Sequence, residues 1–125
     1  MLKKGNSLLI KVRTYFVLIA NIIKSIMELK TKGNSEIMTQ HIKKYLFCMV
    51  ANIYKYKEWH LVFNIASDGV SYGTLYKKAA DYNPSIVLIE DTKRNVFGIY
   101  ASQSWKKSKD FYGTGETYVF TFKVN

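Results

Sequence analysis

The sequence is poor in the residues that build compact chemistry. Cys48 is the only cysteine. A single thiol excludes an intrachain disulfide and a cysteine-based zinc site, and is compatible with a reducing compartment. His41 and His60 are the only histidines. Neither stands in a metal-ligand spacing with carboxylates, so no metal site is expected. One proline and seven glycines in 125 residues leave no room for a long flexible linker. No internal repeat is visible. Apolar runs are short as well. Residues 14–23 form the longest, and ten residues fall short of the roughly 20 that span a bilayer. Widening the run to residues 8–27 takes in Lys11, Arg13 and Lys24. Each charge near the membrane centre costs about 2.5–3.5 kcal/mol, so a spanning helix is disfavoured.

Acidic residues are scarce in one half only. Residues 1–57 contain eleven Lys or Arg and two acids, whereas residues 58–125 contain eight and seven. The net charge of +10 therefore belongs almost wholly to the first half. A nucleic-acid binder would be expected to stripe its charge across the fold, so no specific nucleic-acid partner is expected. Residues 1–27 hold five basic residues and no acid. That pattern suits an apolar helix packed on the domain or on a partner, contact with an anionic membrane surface, or a mitochondrial presequence. A signal peptide fits less well, because no small-residue cleavage site follows.

What is abundant is apolar and aromatic side chains, 48% and 15% of the chain. This is globular composition and enough chain for one domain. Residues 1–34 read as a basic, apolar, helical segment with a loop at its end. Ser35 or Thr39 then offers an N-cap for a helix reaching about residue 50, with Ile42, Leu46 and Met49 as its apolar stripe. Cys48 on that helix is expected to be a small buried hydrophobe. The period changes to two from Trp59, where Trp59, Leu61, Phe63 and Ile65 alternate with His60, Val62 and Asn64. That predicts a half-buried strand with His60 facing outward. Ser67-Asp68-Gly69 is turn chemistry, with Asp68 in an Asx-type role. Ser71 can cap a short helix to about residue 82 that turns Leu75 and Ala79 inward, and Asn83-Pro84 stops it.

Three strands with short connections follow. Residues 85–90 are continuously apolar, residues 91–95 form a polar hairpin turn opened by Asp91, and residues 96–101 return. Gly98 inside the returning strand signals close approach of a neighbour. Residues 102–112 read as a polar loop holding Trp105 and three lysines. Gly113-Thr114-Gly115 is a tight turn expected to use positive φ at its glycines. Residues 117–124 alternate cleanly. The order predicts an α+β fold with an antiparallel sheet rather than a parallel α/β one. If the chain is complete at residue 125, its last strand leaves a free edge. That predicts low stability, or oligomers through that edge.

The residues from 35 onward resemble the TLDc (TBC/LysM-associated) domain family, of the oxidation-resistance-protein type. The resemblance rests on Ser35-Glu36-Ile37-Met38-Thr39, Trp59-x-Leu61, Asp68-Gly69-x-Ser71, Thr74-Leu75, Ile89-x-Asp91 and Val96-Phe97-Gly98. It continues through Trp105, Phe111-Tyr112-Gly113-Thr114-Gly115-Glu116 and Tyr118-x-Phe120. Met49-Val50-Ala51 stands where the family has a proline, and Tyr118 where it more often has phenylalanine. The resemblance implies the N-terminal part, residues 35–125, of an antiparallel β-sandwich flanked by helices, with further strands to follow. It also implies oxidative-stress protection, a protein partner in the vacuolar proton-pumping ATPase, a cytoplasmic setting and no catalytic residues or cofactor. The motif residues expected to act in structure or partner binding are Trp59, Asp68, Gly69, Ser71, Asp91, Phe97, Gly98, Trp105, Tyr112, Gly113, Thr114, Gly115, Glu116 and Phe120.

Three features invite sharper chemistry and are weighed against plainer roles. Gly113-Thr114-Gly115-Glu116 lacks the third glycine of a dinucleotide loop and the Lys-Ser/Thr of a phosphate loop, and a strand follows it, so a structural turn is expected. In such a turn the Glu116 carboxylate would accept from nearby backbone amides or face a partner. The carboxylates Asp68, Asp91, Asp110 and Glu116 sit in or beside turns, where structural work suffices. Trp105 among Lys106, Lys107 and Lys109 has the composition of a base-stacking patch, but the resemblance, which places a tryptophan here too, favours a loop whose lysines are solvated and whose tryptophan packs on the sandwich edge.

Overall fold

The computed structural model describes residues 27–122. The expectations for residues 1–26, including every targeting and membrane reading, lie outside them, as does the expectation that the last strand reaches residue 124. Two compact units are present. The described part of the first comprises residues 27–30 and 40–59, and that of the second residues 31–39 and 60–122.

In the first unit, helix α1 runs over Gln40–Met49. Its buried side chains are Ile42, Leu46 and Phe47, and Val50 just beyond it is buried too, as is Leu29. Spacings of four, five and eight from Ile42 keep these on one face of a 3.6-residue helix. Each such burial is worth about 1.5–3 kcal/mol. The stripe therefore closes on Val50 and Phe47, and Met49 is exposed, contrary to the sequence expectation. Cys48 is exposed for the same reason: it lies between the buried positions, on the outward face. Ser35 does not cap α1. Its hydroxyl accepts from the Met38 N–H at 3.3 Å and closes the turn before the helix. A short helix α2, Asn52–Lys55, follows. The Trp59 indole N–H donates to the Tyr54 carbonyl at 3.0 Å. The Tyr56 ring meets Phe47 edge-on at 5.8 Å.

Strands β1 (Lys30–Lys32) and β2 (Glu58–His60) form a two-stranded sheet. The sequence expectation of a loop from Thr31 missed β1, whose charged residues hide a pattern only three residues long. The strand expected over residues 59–65 is also shorter than its alternation suggests. One further bond, Leu61 N–H to the Lys32 carbonyl at 2.8 Å, extends the pairing. Asn64 then caps a one-turn helix α3, Ile65–Asp68, accepting from the Ala66 N–H. Leu61 and Ile65 are exposed in consequence, and His60 is exposed as expected.

Helix α4, Tyr72–Ala79, begins at Ser71, whose hydroxyl accepts from the Thr74 N–H at 3.3 Å. It buries Ala79 and half-buries Leu75, and it ends three residues earlier than expected. Strands β3 (Ser85–Glu90), β4 (Val96–Ala101) and β5 (Tyr118–Thr121) form an antiparallel sheet in the order β3-β4-β5. The fold class is α+β, as the sequence indicated. Opposed residues share a face. Ile86, Leu88, Gly98, Tyr100, Tyr118 and Phe120 occupy one face, and Val87, Ile89, Phe97, Ile99, Val119 and Thr121 the other. Tyr100 and Ala101, both in β4, are buried. On the first face Tyr100 stacks on Tyr118 at 5.0 Å and Phe120 meets Phe122 edge-on at 5.5 Å.

Candidate functional site

Most motif residues have a local physical job in the structure. Asp68 ends α3 rather than forming an Asx turn. One carboxylate oxygen accepts from the Asn64 N–H at 2.8 Å, reaching back to the residue that caps the same helix. The other pairs with the Lys78 ammonium on α4. The Lys78 contact, with the Asn64 bond, holds the Asp68 carboxyl below its ordinary range. Gly69 stops the helix at φ 77°, and Ser71 starts the next. Asp68, Gly69 and Ser71 thus form one connection between two helices, fastened by a lysine ten residues away.

Asp91 organises the β3–β4 hairpin. Its Oδ1 accepts from the Lys93 N–H at 2.8 Å and the Asn95 N–H at 2.9 Å, and its Oδ2 accepts from the Asn95 side-chain amide at 2.8 Å. The Asn95 contacts, and then the Lys93 N–H, hold this carboxyl low as well. Arg94 takes φ 67° to complete the turn and pairs with Glu90 at 3.2 Å.

Gly98 lies at the centre of the sheet, opposite Leu88 and Phe120. A Cβ there would sit 2.5 Å from Phe120 Cζ and 2.6 Å from the Val87 carbonyl oxygen. The close approach expected from the sequence is thus present, and Phe120 supplies it. Phe97, its neighbour, is on the opposite face and part-exposed.

The remaining motif residues belong to the long connection between β4 and β5. The Trp105 indole N–H donates to the Ser85 hydroxyl at 2.9 Å, fastening the connection to the start of β3. Tyr112 accepts the Lys106 N–H at 3.0 Å, and the Lys106 ammonium lies 4.8 Å from its ring centre. This cation–π contact engages one of the three lysines beside Trp105. Ser102 shares hydrogen bonds with Thr114 at 2.9 Å and Thr117 at 3.2 Å, closing the base of the connection. Gly113 takes φ 103°, but Gly115 does not take positive φ, so only one of the two glycines is used as expected. Thr114 accepts the Glu116 N–H at 3.4 Å. The Glu116 side chain is exposed, and no hydrogen bond to its carboxylate is found among the described residues. The turn therefore spends its backbone amides on Thr114 rather than on Glu116.

The motif residues act through separate local contacts among the described residues. Trp59 lies in the first unit and the others in the second. Sequence reasoning missed Lys78, Asn64, Ser85 and Ser102, which hold the motif residues in place. Asn64 could have been read as an N-cap from its position four residues before Asp68. Lys78, Ser85 and Ser102 make contacts across 10 to 20 residues that no local pattern announces. Among the described residues no group of three or more His, Cys, Asp or Glu is placed to hold a metal ion. No helix among them is long and apolar enough to cross a membrane.

A sequence model of the TLDc domain matches residues 31–125. The chain belongs to the TLDc domain family. Nuclear receptor coactivator 7 of Mus musculus is 36% identical over 86 residues, 68% of this chain and 9% of that protein. Oxidation resistance protein 1 of Rattus norvegicus is 45% identical over 65 residues, 51% of this chain and 8% of that protein. The same protein of Xenopus laevis is 43% identical over the same length. This chain thus spans less than a tenth of the length of these relatives. The TLDc motif reads here as a set of fastenings: helix to helix at Asp68, hairpin at Asp91, strand to strand at Gly98 and Phe120, and loop to sheet at Trp105.

Proposed function

We propose that this TLDc chain is a non-enzymatic protein-interaction module that contributes to oxidative-stress protection by docking on a larger assembly, with the vacuolar proton-pumping ATPase as the partner. The observation that carries this reading is the occupation of two of the three motif carboxylates. Asp68 and Asp91 are both held ionised by contacts that fix backbone and helix ends. Groups so engaged are poor general acids or bases. The side chains left exposed, among them Glu116, Phe111 and Tyr112, present a surface to be touched rather than a site that transforms a substrate. Kinship with oxidation resistance protein 1 supports the stress-protection part of the reading. Affinity capture of the tagged chain from its own cells tests it. Recovery of ATPase subunits is expected, and their absence would remove the named partner.

A second reading is favoured by the charge distribution. Residues 1–27 hold five basic residues and no acidic one. An anionic membrane surface would attract such a segment. Flotation with anionic liposomes, with and without residues 1–27, separates the readings. Loss of flotation on truncation supports membrane contact, and equal behaviour of both chains excludes it.

A further inference from the structure

Ser108 is the one serine of the chain with a lysine on each side, Lys107 before it and Lys109 after it, and Lys106 stands two residues ahead. It lies in the connection between β4 and β5, outside every helix and strand, and is exposed. Its hydroxyl donates to the Asp110 carbonyl at 2.7 Å and accepts the Asp110 N–H at 3.2 Å. Both bonds belong to the serine's own turn.

We propose that Ser108 is a phosphorylation site for a protein kinase that selects basic residues around its acceptor. In the reaction the Ser108 Oγ attacks the γ-phosphorus of ATP. A bond forms between that oxygen and phosphorus, the bond from phosphorus to the β–γ bridging oxygen breaks, and ADP leaves. The hydroxyl proton passes to the catalytic aspartate of the kinase. Charge supplies the selection. Lys106, Lys107 and Lys109 against Asp110 leave residues 105–112 at +2, which acidic side chains in a kinase cleft complement.

Local fastening separates Ser108 from the other hydroxyls that lie near basic residues. Phosphoryl transfer requires the acceptor in line with the γ-phosphate, so the segment that carries it must settle into the kinase cleft. A segment held by the rest of the fold must first be released. Ser104 precedes Lys106 and Lys107, but its hydroxyl accepts from the Asn83 side-chain amide at 3.1 Å, and its neighbour Trp105 is fastened to Ser85. Ser102 is bonded to Thr114 and Thr117 at the base of the connection. Thr92 precedes Lys93 and Arg94, but it sits inside the hairpin closed by the Asp91 N–H to the Asn95 carbonyl at 3.0 Å and by the Asp91 carboxylate. Thr31 also has a lysine on each side, but it lies within β1, which is hydrogen-bonded to β2. Residues 103–113, by contrast, make no backbone-to-backbone hydrogen bond among the described residues. Ser108 can therefore be presented by opening its own turn, with the connection still fastened at Ser102 and Trp105.

The consequence for the loop follows from charge. A phosphate adds about −1.5 to −2 at neutral pH, enough to cancel the local excess. The Ser108 O–H is lost, and with it the bond to the Asp110 carbonyl. The phosphate oxygens gain the neighbouring ammonium groups as partners. The Lys106 ammonium now lies 4.8 Å from the Tyr112 ring centre. A charge-assisted bond to phosphate is stronger than an exposed cation–π contact, so Lys106 leaves that ring. Modification thus removes the basic character of the surface beside Phe111 and Tyr112. The site stands whichever assembly the chain docks on.

Incubation of the full chain with MgATP and the catalytic subunit of protein kinase A or protein kinase C, followed by peptide mapping, tests the proposal. Phosphate on Ser108 is expected, abolished by Ser108→Ala and unchanged by Ser104→Ala. Lys107→Gln with Lys109→Gln should lower kcat/KM for incorporation roughly tenfold or more while circular dichroism stays native. In the phosphorylated chain the ring resonances of Tyr112 should shift, and those of Tyr118 should stay in place. Failure of both kinases to modify Ser108 would overturn the proposal. So would labelling chiefly at Ser102, Ser104, Thr92 or Thr31, or incorporation that the double lysine variant leaves unchanged.

Discussion

At the residue scale, the fold depends most sharply on Gly98. No side chain fits between the Phe120 ring and the Val87 carbonyl. A flexible ring can yield, but backbone in the same sheet cannot move without disturbing the ladder. Gly98→Ala should therefore destabilise the chain by about 1–3 kcal/mol, read from urea denaturation. Adding Phe120→Leu should recover only part of that loss, because the Val87 oxygen remains 2.6 Å from the new methyl. The two fastening carboxylates give a second prediction. Both Asp68 and Asp91 have folded-state pKa values below the ordinary value. A depressed carboxylate contributes stability that is present above the unfolded pKa and lost as pH falls through the folded one. The midpoint of unfolding should drop as pH is lowered below about 4. Asp68→Asn and Asp91→Asn should each lower stability at neutral pH and flatten that acid dependence. A slope unchanged in both variants would show that other groups carry it.

At the scale of elements, the helix starting at Ser71 and the connection leading to β5 are held by single side chains. Ser71→Ala removes the acceptor for the Thr74 N–H and should cost about 1 kcal/mol, seen as faster amide exchange through the first turn of α4. Trp105→Phe keeps the ring and removes the bond to Ser85, so exchange should rise in residues 102–117 with little change in β4. How legible these elements were depended on the range of the forces that make them. β3, its hairpin, β4 and the cap at Ser71 are fixed by neighbouring residues, so alternation, turn chemistry and capping revealed them. The segment from Trp59 misled because alternation continued through residues that, beyond Leu61, do not pair. Asn64 and Asp68 cap a helical turn there, and local hydrogen bonds outweigh the pattern. β1 was invisible because a three-residue strand has no period. In α1, Met49 and Val50 were one residue apart, and which of them turns inward depends on what the helix packs against. The same ambiguity placed Cys48 inside when it is outside.

At the scale of the whole molecule, the motif series identified the family, because its order and spacing survive over some ninety residues. It did not disclose a site, because these residues fasten separate pieces of backbone. The charge is divided unevenly along the sequence. Two segments carry a net +8 and the remainder +2. Catalysis would need convergence of titratable groups, and docking needs only an ordered surface. Phe111, fully exposed, and Tyr112 with its covering Lys106 lie in the connection that Trp105 and Ser102 hold in place. The account therefore rests on whether a folded chain binds the proposed assembly. The direct measurement is interferometry of the purified chain against the purified cytosolic sector of a vacuolar proton-pumping ATPase. We predict saturable binding that Glu116→Gln weakens without changing the melting temperature. A chain that melts cooperatively yet shows no saturable binding would contradict the account.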